Sequence, residues 1–146
     1  MNATAISAYR SATVVTTQRD LIIKLYVGAE SFLAQAREAM LVKPRRAQDV
    51  IRAHTMCTKA ADIITALLAT LNMDEGGEIA KQLRPLYAFL IVKIGESNLR
   101  KSADLIDELL PILATLREGW EQIPDELANL SALPSCQGGH AFSLRS

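Results

Sequence analysis

The fold is decided by the stretch VIRAHTMCTKAADIITALLATL, residues 50–71. Its apolar positions alternate steps of four and three along the chain, which is the spacing of one face of a helix. The residues on this seam are Val50, His54, Cys57, Ala61, Ile64, Leu68 and Leu71. Such a heptad-like seam predicts a helix of about residues 46–71 that packs against other helices.

The same periodicity recurs on both sides of this stretch. Residues 21–40 place apolar side chains three and four apart, and the Lys43-Pro44 pair ends that pattern. Residues 79–94 and 105–123 repeat it, with breaks at 72–77 and 98–101. Because the connections are short, neighbouring helices should run antiparallel. The sequence therefore predicts an all-α fold, an antiparallel up-down-up-down four-helix bundle.

The two ends of the chain lack this periodicity. Residues 1–16 are small and polar with scattered apolar side chains, and we interpret them as an N-terminal arm. The bundle itself is predicted to occupy residues 17–124. Residues 125–146 gather Ser, Gly, Pro and Asn, a composition typical of a flexible C-terminal tail.

Charge and hydropathy restrict the function. The chain of 146 residues balances 16 Lys and Arg against 16 Asp and Glu, so its formal net charge is zero. A neutral chain does not favour binding to nucleic acid or to a membrane surface, which both rely on a basic excess. No basic segment precedes an apolar run at the N-terminus, and no uncharged apolar run approaches the length of a membrane span. We expect a cytoplasmic domain without membrane insertion.

Catalytic and metal-binding motifs are sparse. Neither histidine lies three residues after a Glu or Asp, so the paired Glu-x-x-His motif of di-iron bundles is missing. A zinc site built from His54, Cys57, Cys136 and His140 is a weaker alternative, because this split spacing matches known zinc motifs poorly. The simpler interpretation is a core cysteine, a half-buried histidine and two unrelated residues. We predict no enzyme activity, no cofactor and no metal.

Four short stretches resemble the flagellar secretion chaperones of the FliS family. They are AY at 8–9, LIIKLYVGA at 21–29, LNMDEGGEIA at 71–80 and LREGW at 116–120. The resemblance extends over about residues 5–123. It implies a cytosolic export chaperone that binds the disordered C-terminal segment of flagellin in an apolar groove. It also implies that the chaperone prevents premature polymerisation and aids delivery of flagellin to components of the flagellar export apparatus.

The resemblance also directs the choice of site residues. We expect the partner-binding groove on the first and third helices, at Leu21, Lys24, Leu25, Tyr87 and Ile91. Family members have an N-terminal arm that can fold over an empty groove. Here the apolar anchors of that arm would be Ile6 and Tyr9.

Periodicity alone leaves another class of function open. A helical bundle with wide apolar faces is also typical of a general adaptor or dimerisation module that binds another amphipathic helix. A second copy of this chain is one such partner, and would give a homodimer. This alternative predicts no affinity for flagellin, which distinguishes it from the chaperone interpretation.

Overall fold

The computed structural model describes residues 18–71 and 73–123, which form four helices and no strand. In chain order these are α1 (Gln18–Leu41), α2 (Ala47–Thr70), α3 (Met73–Arg100) and α4 (Ala103–Gln122). The predicted all-α bundle is confirmed. The predicted arm, with Ile6 and Tyr9, and the predicted tail from residue 125 lie outside the described residues.

The four helices form a closed ring. Each helix packs against the next one in the chain, and α4 packs back against α1. Ion pairs along the α1–α4 contact show the antiparallel direction, since Glu30 pairs with Arg117 whereas the later Arg37 pairs with the earlier Asp107. Connections of two to five residues enforce this arrangement, because so short a link returns the chain beside the helix it has just left.

Local side-chain chemistry fixes where the helices begin. At α2, the Asp49 carboxylate accepts hydrogen bonds from the Arg46 guanidinium and from the Arg46 backbone N–H, 3.0 Å away. These bonds hold the pKa of Asp49 below its usual range. At α4, the Ser102 hydroxyl accepts from a backbone N–H of the first turn. Within α3, Gly77 has φ 61°, a left-handed conformation that kinks the helix near its start.

The core confirms the burial of Cys57 but corrects the predicted seam of α2. The buried apolar residues of α2 are Ala53, Cys57, Ala60, Ile64 and Leu67. The core face is thus rotated by about one residue from the predicted seam. Val50 remains 39% exposed, and His54 turns outward to hydrogen-bond with Asn98. The small side chains of Ala53 and Ala60 suit the close inner face, whereas an imidazole there would need a buried polar partner.

Candidate functional site

An apolar groove lies between the beginning of α3 and the end of α4. Its walls include Ile79 and Leu83 of α3 and, from α4 and the residue that follows it, Leu116, Gly119, Trp120 and Ile123. The volume is about 240 Å³, and most of the lining surface is apolar. We call this feature the α3–α4 groove. Such a surface can hold apolar side chains but offers no cluster of catalytic groups.

Packing and sequence together explain why this groove is open. The α3–α4 contact is the smallest of the four contacts in the ring. Gly119 contributes no side chain, and a Cβ placed there would meet no atom within 4 Å. The Ile123 backbone leaves the helical conformation, with φ −75° and ψ 132°, just where the groove ends. A missing side chain and a loose helix contact therefore leave apolar walls accessible.

The inner wall of the groove is continuous with a buried aromatic cluster. Trp120 is only 4% exposed, and the Tyr26 and Tyr87 hydroxyls hydrogen-bond to each other across the core. The two tyrosine rings lie 6.3 Å apart at an angle of 53°. Burial raises the pKa of Tyr87 to about 12, and burial together with the neighbouring Tyr87 raises that of Tyr26 further. Both phenols are thus neutral at physiological pH, and they interact with the groove residue Trp120 from the core side.

A second groove lies between α2 and α3, towards the other end of the bundle. Its walls include Cys57 and Ala61 of α2 and Ile91, Ile94 and Gly95 of α3, and its volume is about 260 Å³. Polar residues take a larger share of the lining than in the α3–α4 groove. We call this feature the α2–α3 groove. Helix α3 therefore contributes a wall to two grooves.

The outer surface of α3 also carries large apolar side chains. Phe89 is 44% exposed, Val92 67% and Leu99 85%. The Lys93 ammonium lies 5.8 Å from the centre of the Phe89 ring, a cation–π geometry. Exposed apolar residues grouped on one helix are typical of a surface that contacts another protein.

The five predicted groove residues do not meet in one place. Leu21 and Lys24 are exposed on α1, and Leu25 is half-buried there. Tyr87 is 1% exposed and lies in the core, whereas Ile91 lines the α2–α3 groove. The reason is topological, since α1 and α3 are diagonal in the ring and each packs mainly against α2 and α4. Whether these residues contact a partner stays a prediction.

Sequence reasoning missed the contribution of α4. Leu116, Gly119 and Trp120 belong to the LREGW stretch at 116–120, yet they were interpreted only as part of a helix and a family motif. Gly119 was the feature of the sequence that could have indicated a groove on α4. A glycine inside a helix costs about 1 kcal/mol relative to alanine, so its presence beside a tryptophan suggests space that is kept open.

The proposed zinc ligands are only partly described. His54 hydrogen-bonds to Asn98, with 2.9 Å between Nδ1 and Nδ2, and Cys57 is buried. Burial raises the pKa of the Cys57 thiol to about 11, which disfavours the thiolate that zinc requires. Cys136 and His140 lie outside the described residues. Among residues 18–71 and 73–123, no three His, Cys, Asp or Glu side chains group in a way that could hold a metal ion.

Comparison with known proteins agrees with this architecture. Residues 1–127 match the family described as "Flagellar protein FliS". The chain is 35% identical over 127 residues to the flagellar secretion chaperone FliS of Salmonella typhimurium, covering 83% of this chain and 90% of the relative. It is 29% identical over 133 residues to the Vibrio cholerae protein of the same name, covering 88% and 94%. The Pseudomonas aeruginosa flagellar secretion chaperone FliSB is 33% identical over 103 residues, covering 70% and 78%.

The remaining structural observation concerns membranes. In the part of the chain that the structure describes, no helix has the unbroken apolar length that crossing a bilayer requires.

The match to the family covers all four helices and both the α3–α4 groove and the α2–α3 groove. The chain therefore belongs to the FliS family of flagellar secretion chaperones.

Proposed function

We propose that this chaperone acts in the cytoplasm and binds the disordered C-terminal segment of flagellin. Binding there would keep flagellin from polymerising and would carry it to the flagellar export apparatus. The observation that carries the proposal is the α3–α4 groove, whose apolar walls fit one face of an amphipathic helix. The names of the relatives, which are flagellar secretion chaperones, support a flagellar client.

The energetics require more than this one groove. A disordered segment that folds on binding loses about 2–5 kcal/mol in ordering, which extended apolar contact must offset. Each fully buried leucine or phenylalanine contributes about 1.5–3 kcal/mol. A client that follows α3 from the α3–α4 groove, across the exposed Phe89 and Val92, to the α2–α3 groove would bury several such side chains. We therefore place the client along α3.

The test is calorimetric titration with the last forty or so residues of flagellin from the same organism. Tight 1:1 binding with a large negative heat-capacity change is the expected result for folding into an apolar groove. Absence of binding, by calorimetry and by a sizing column, would contradict the proposal and favour the general adaptor. A shift of the free chaperone to a dimer on that column would identify a second copy as the partner.

Two glycine substitutions locate the client. Gly119→Leu places a side chain in the α3–α4 groove, and Gly95→Leu does so in the α2–α3 groove, both without meeting an atom at the new Cβ. Loss of one apolar anchor of about 1.5–3 kcal/mol corresponds to roughly 10- to 100-fold weaker binding. Gly119→Leu should weaken binding to this extent. Unchanged affinity would remove the α3–α4 groove from the client site.

The N-terminal arm is a separate part of the proposal. Ile6 and Tyr9 would anchor the arm over client surface near the exposed Leu21 at the start of α1. Deletion of residues 1–12 should then tighten client binding, because the arm no longer competes. The substitution pair Ile6→Ser and Tyr9→Ser should have the same effect. An unchanged affinity in both variants would show that the arm does not cover the site.

A further inference from the structure

We propose that residues 127–133, LANLSAL, dock in the α3–α4 groove of the same molecule. The groove ends at Ile123, which is also the last residue that the structure describes, so the chain continues directly from the groove wall. Another 23 residues follow in the sequence. The family match ends at residue 127, so most of the proposed segment lies beyond the matched part of the chain.

The exit of the chain from α4 is fixed by hydrogen bonds. The Ile123 N–H donates to the Trp120 carbonyl at 3.2 Å. The Ile123 carbonyl accepts from Nη1 of Arg19 at 3.0 Å, which ties the exit point to α1. The backbone of Ile123 is already extended, with φ −75° and ψ 132°, so α4 does not continue through this residue. The following segment therefore starts from a defined position at the edge of the groove.

The segment has the chemistry that the groove accepts. Leu127, Leu130 and Leu133 are three residues apart in the sequence, a spacing that would place them on one side of a helix if the segment folds as one on docking. The segment contains no charged residue, no Gly and no Pro. Three residues connect it to Ile123, and a connection of this length spans about 10 Å when extended. Leu127 can therefore reach the groove without a long loop.

Size and tethering favour this occupant. A closed apolar cavity of about 150 Å³ accommodates a benzene molecule, and the groove, at about 240 Å³, has room for a leucine side chain and part of another. A segment held by a short connection has an effective concentration in the millimolar range. Docking thus needs only weak intrinsic affinity to fill the groove in the absence of a partner.

The regulatory consequence rests on the proposed function, whereas the docking does not. If the client uses the α3–α4 groove, the docked segment competes with it and lowers the apparent affinity by the fraction of molecules that remain open. A groove that is filled in nine molecules out of ten would bind its client about tenfold more weakly. The segment would then select against weak, non-client helices.

Trp120 provides the readout for docking. It is the only tryptophan in the chain and it lines the groove, so its fluorescence reports the occupancy of the groove. In the full-length chain, Leu130→Ser with Leu133→Ser should shift Trp120 emission to longer wavelength and increase its quenching by acrylamide. Trp120 is only 4% exposed, so both changes are expected to be small but reproducible. The matched control, Phe142→Ser with Leu144→Ser, should leave both values unchanged. Equal circular dichroism shows that all variants remain folded.

Three results would overturn docking by residues 127–133. One is unchanged Trp120 emission and quenching in the Leu130→Ser, Leu133→Ser variant. Another is an equal change in the Phe142→Ser, Leu144→Ser control. The third is exposure of Trp120 by deletion of residues 1–12 and not by the leucine substitutions, which would identify the N-terminal arm as the occupant.

Client titration separates this inference from the proposed function. The leucine variant should bind the flagellin segment about tenfold more tightly than the unchanged chain. If neither protein binds flagellin while the Trp120 shift persists, the proposed function fails and the docking stands. If both bind flagellin with equal affinity and Trp120 is unchanged, the docking fails and the proposed function stands.

Discussion

The buried hydroxyl pair of Tyr26 and Tyr87 gives a sharp test of how the core is held behind the α3–α4 groove. The two residues are 0% and 1% exposed and belong to helices on opposite corners of the ring. Tyr87→Phe keeps the ring and removes the hydroxyl that pairs with the buried Tyr26 hydroxyl, which keeps its contact with Trp120. An unsatisfied buried polar group costs about 1–3 kcal/mol. Tyr26→Phe should cost a similar amount.

The double variant should be much less destabilised than the sum of the single variants. With both hydroxyls removed, two apolar rings of the same shape remain and the buried Trp120 indole N–H, which interacts with both hydroxyls, loses these acceptors. The expected cost is therefore that of one unsatisfied buried group, about 1–3 kcal/mol, and not the sum of two. The predicted interaction energy is therefore about 1–3 kcal/mol in magnitude. Urea unfolding followed by circular dichroism measures all four proteins. Additive single costs would refute the account of the pair as mutually satisfied hydroxyls.

The same pair has a pH signature with a defined sign. Burial raises the pKa of Tyr87 to about 12, and that of Tyr26 is also raised, above the ordinary value of 10. Between pH 10 and 12 the unfolded chain releases these protons more readily than the folded chain does. The stability from the neutral Tyr87 phenol is therefore complete below pH 10 and is lost as the pH rises through its folded-state pKa of about 12. The raised pKa of Tyr26 acts in the same direction. The double phenylalanine variant should show a smaller loss over this range.

Three further predictions concern single sites. Ser102→Ala removes the oxygen that caps α4 and should lower the free energy of unfolding by about 1 kcal/mol, measured by urea titration. Cys57 is buried with its pKa raised to about 11, so in a Cys136→Ser background a thiol reagent should label it only after unfolding. At Gly28 an added Cβ would lie 3.3 Å from Ile63, so Gly28→Leu should overpack the α1–α2 contact and cost about 1–3 kcal/mol in the same titration.

The two substitutions that test stability each have a matched control in the chain. Ser31→Ala changes an exposed serine inside α1 and should alter stability far less than Ser102→Ala. Gly95→Leu adds the same side chain as Gly28→Leu in open space and should not destabilise the bundle. Rapid labelling of Cys57 in the folded protein would contradict its placement in the core.

The helices could be predicted from the apolar periodicity of the sequence, because helix formation depends on residues that are close together in the chain. Apolar residues three and four apart define a helix whatever surrounds it, so all four helices were predicted. The bounds of α3 were less accurate, because it begins at Met73 and ends at Arg100, inside the breaks predicted at 72–77 and 98–101. It was harder to predict which of the apolar residues of α2 face the core. The series through Ala60 and Leu67 and the series through Ala61 and Leu68 are equally apolar, and only packing against the other helices decides between them. Which of the two series is buried therefore depends on contacts between residues that are far apart in the sequence.

The candidate site could be predicted from the sequence less completely than the fold, because it too depends on how the helices pack against one another. Leu116 and Trp120 have the spacing of core residues, and a groove wall between two helices has the same spacing as a core. Likewise Tyr87 was expected at a surface and lies in the core, because sequence does not show that α1 and α3 are diagonal. Sequence identified the helices that carry apolar faces, whereas the structure shows which parts of those faces the bundle leaves uncovered.

The glycines connect stability to function. Gly95 and Gly119 each line a groove, and at both positions a Cβ would meet no neighbouring atom. Alanine would therefore fit, and at Gly95, inside α3, it would stabilise the helix by about 1 kcal/mol. A sequence that served only the fold would gain from alanine at both sites. The chain instead keeps a glycine in the wall of the α3–α4 groove and another in the wall of the α2–α3 groove. This is expected if accessible apolar surface along α3 is what the protein offers to its partner.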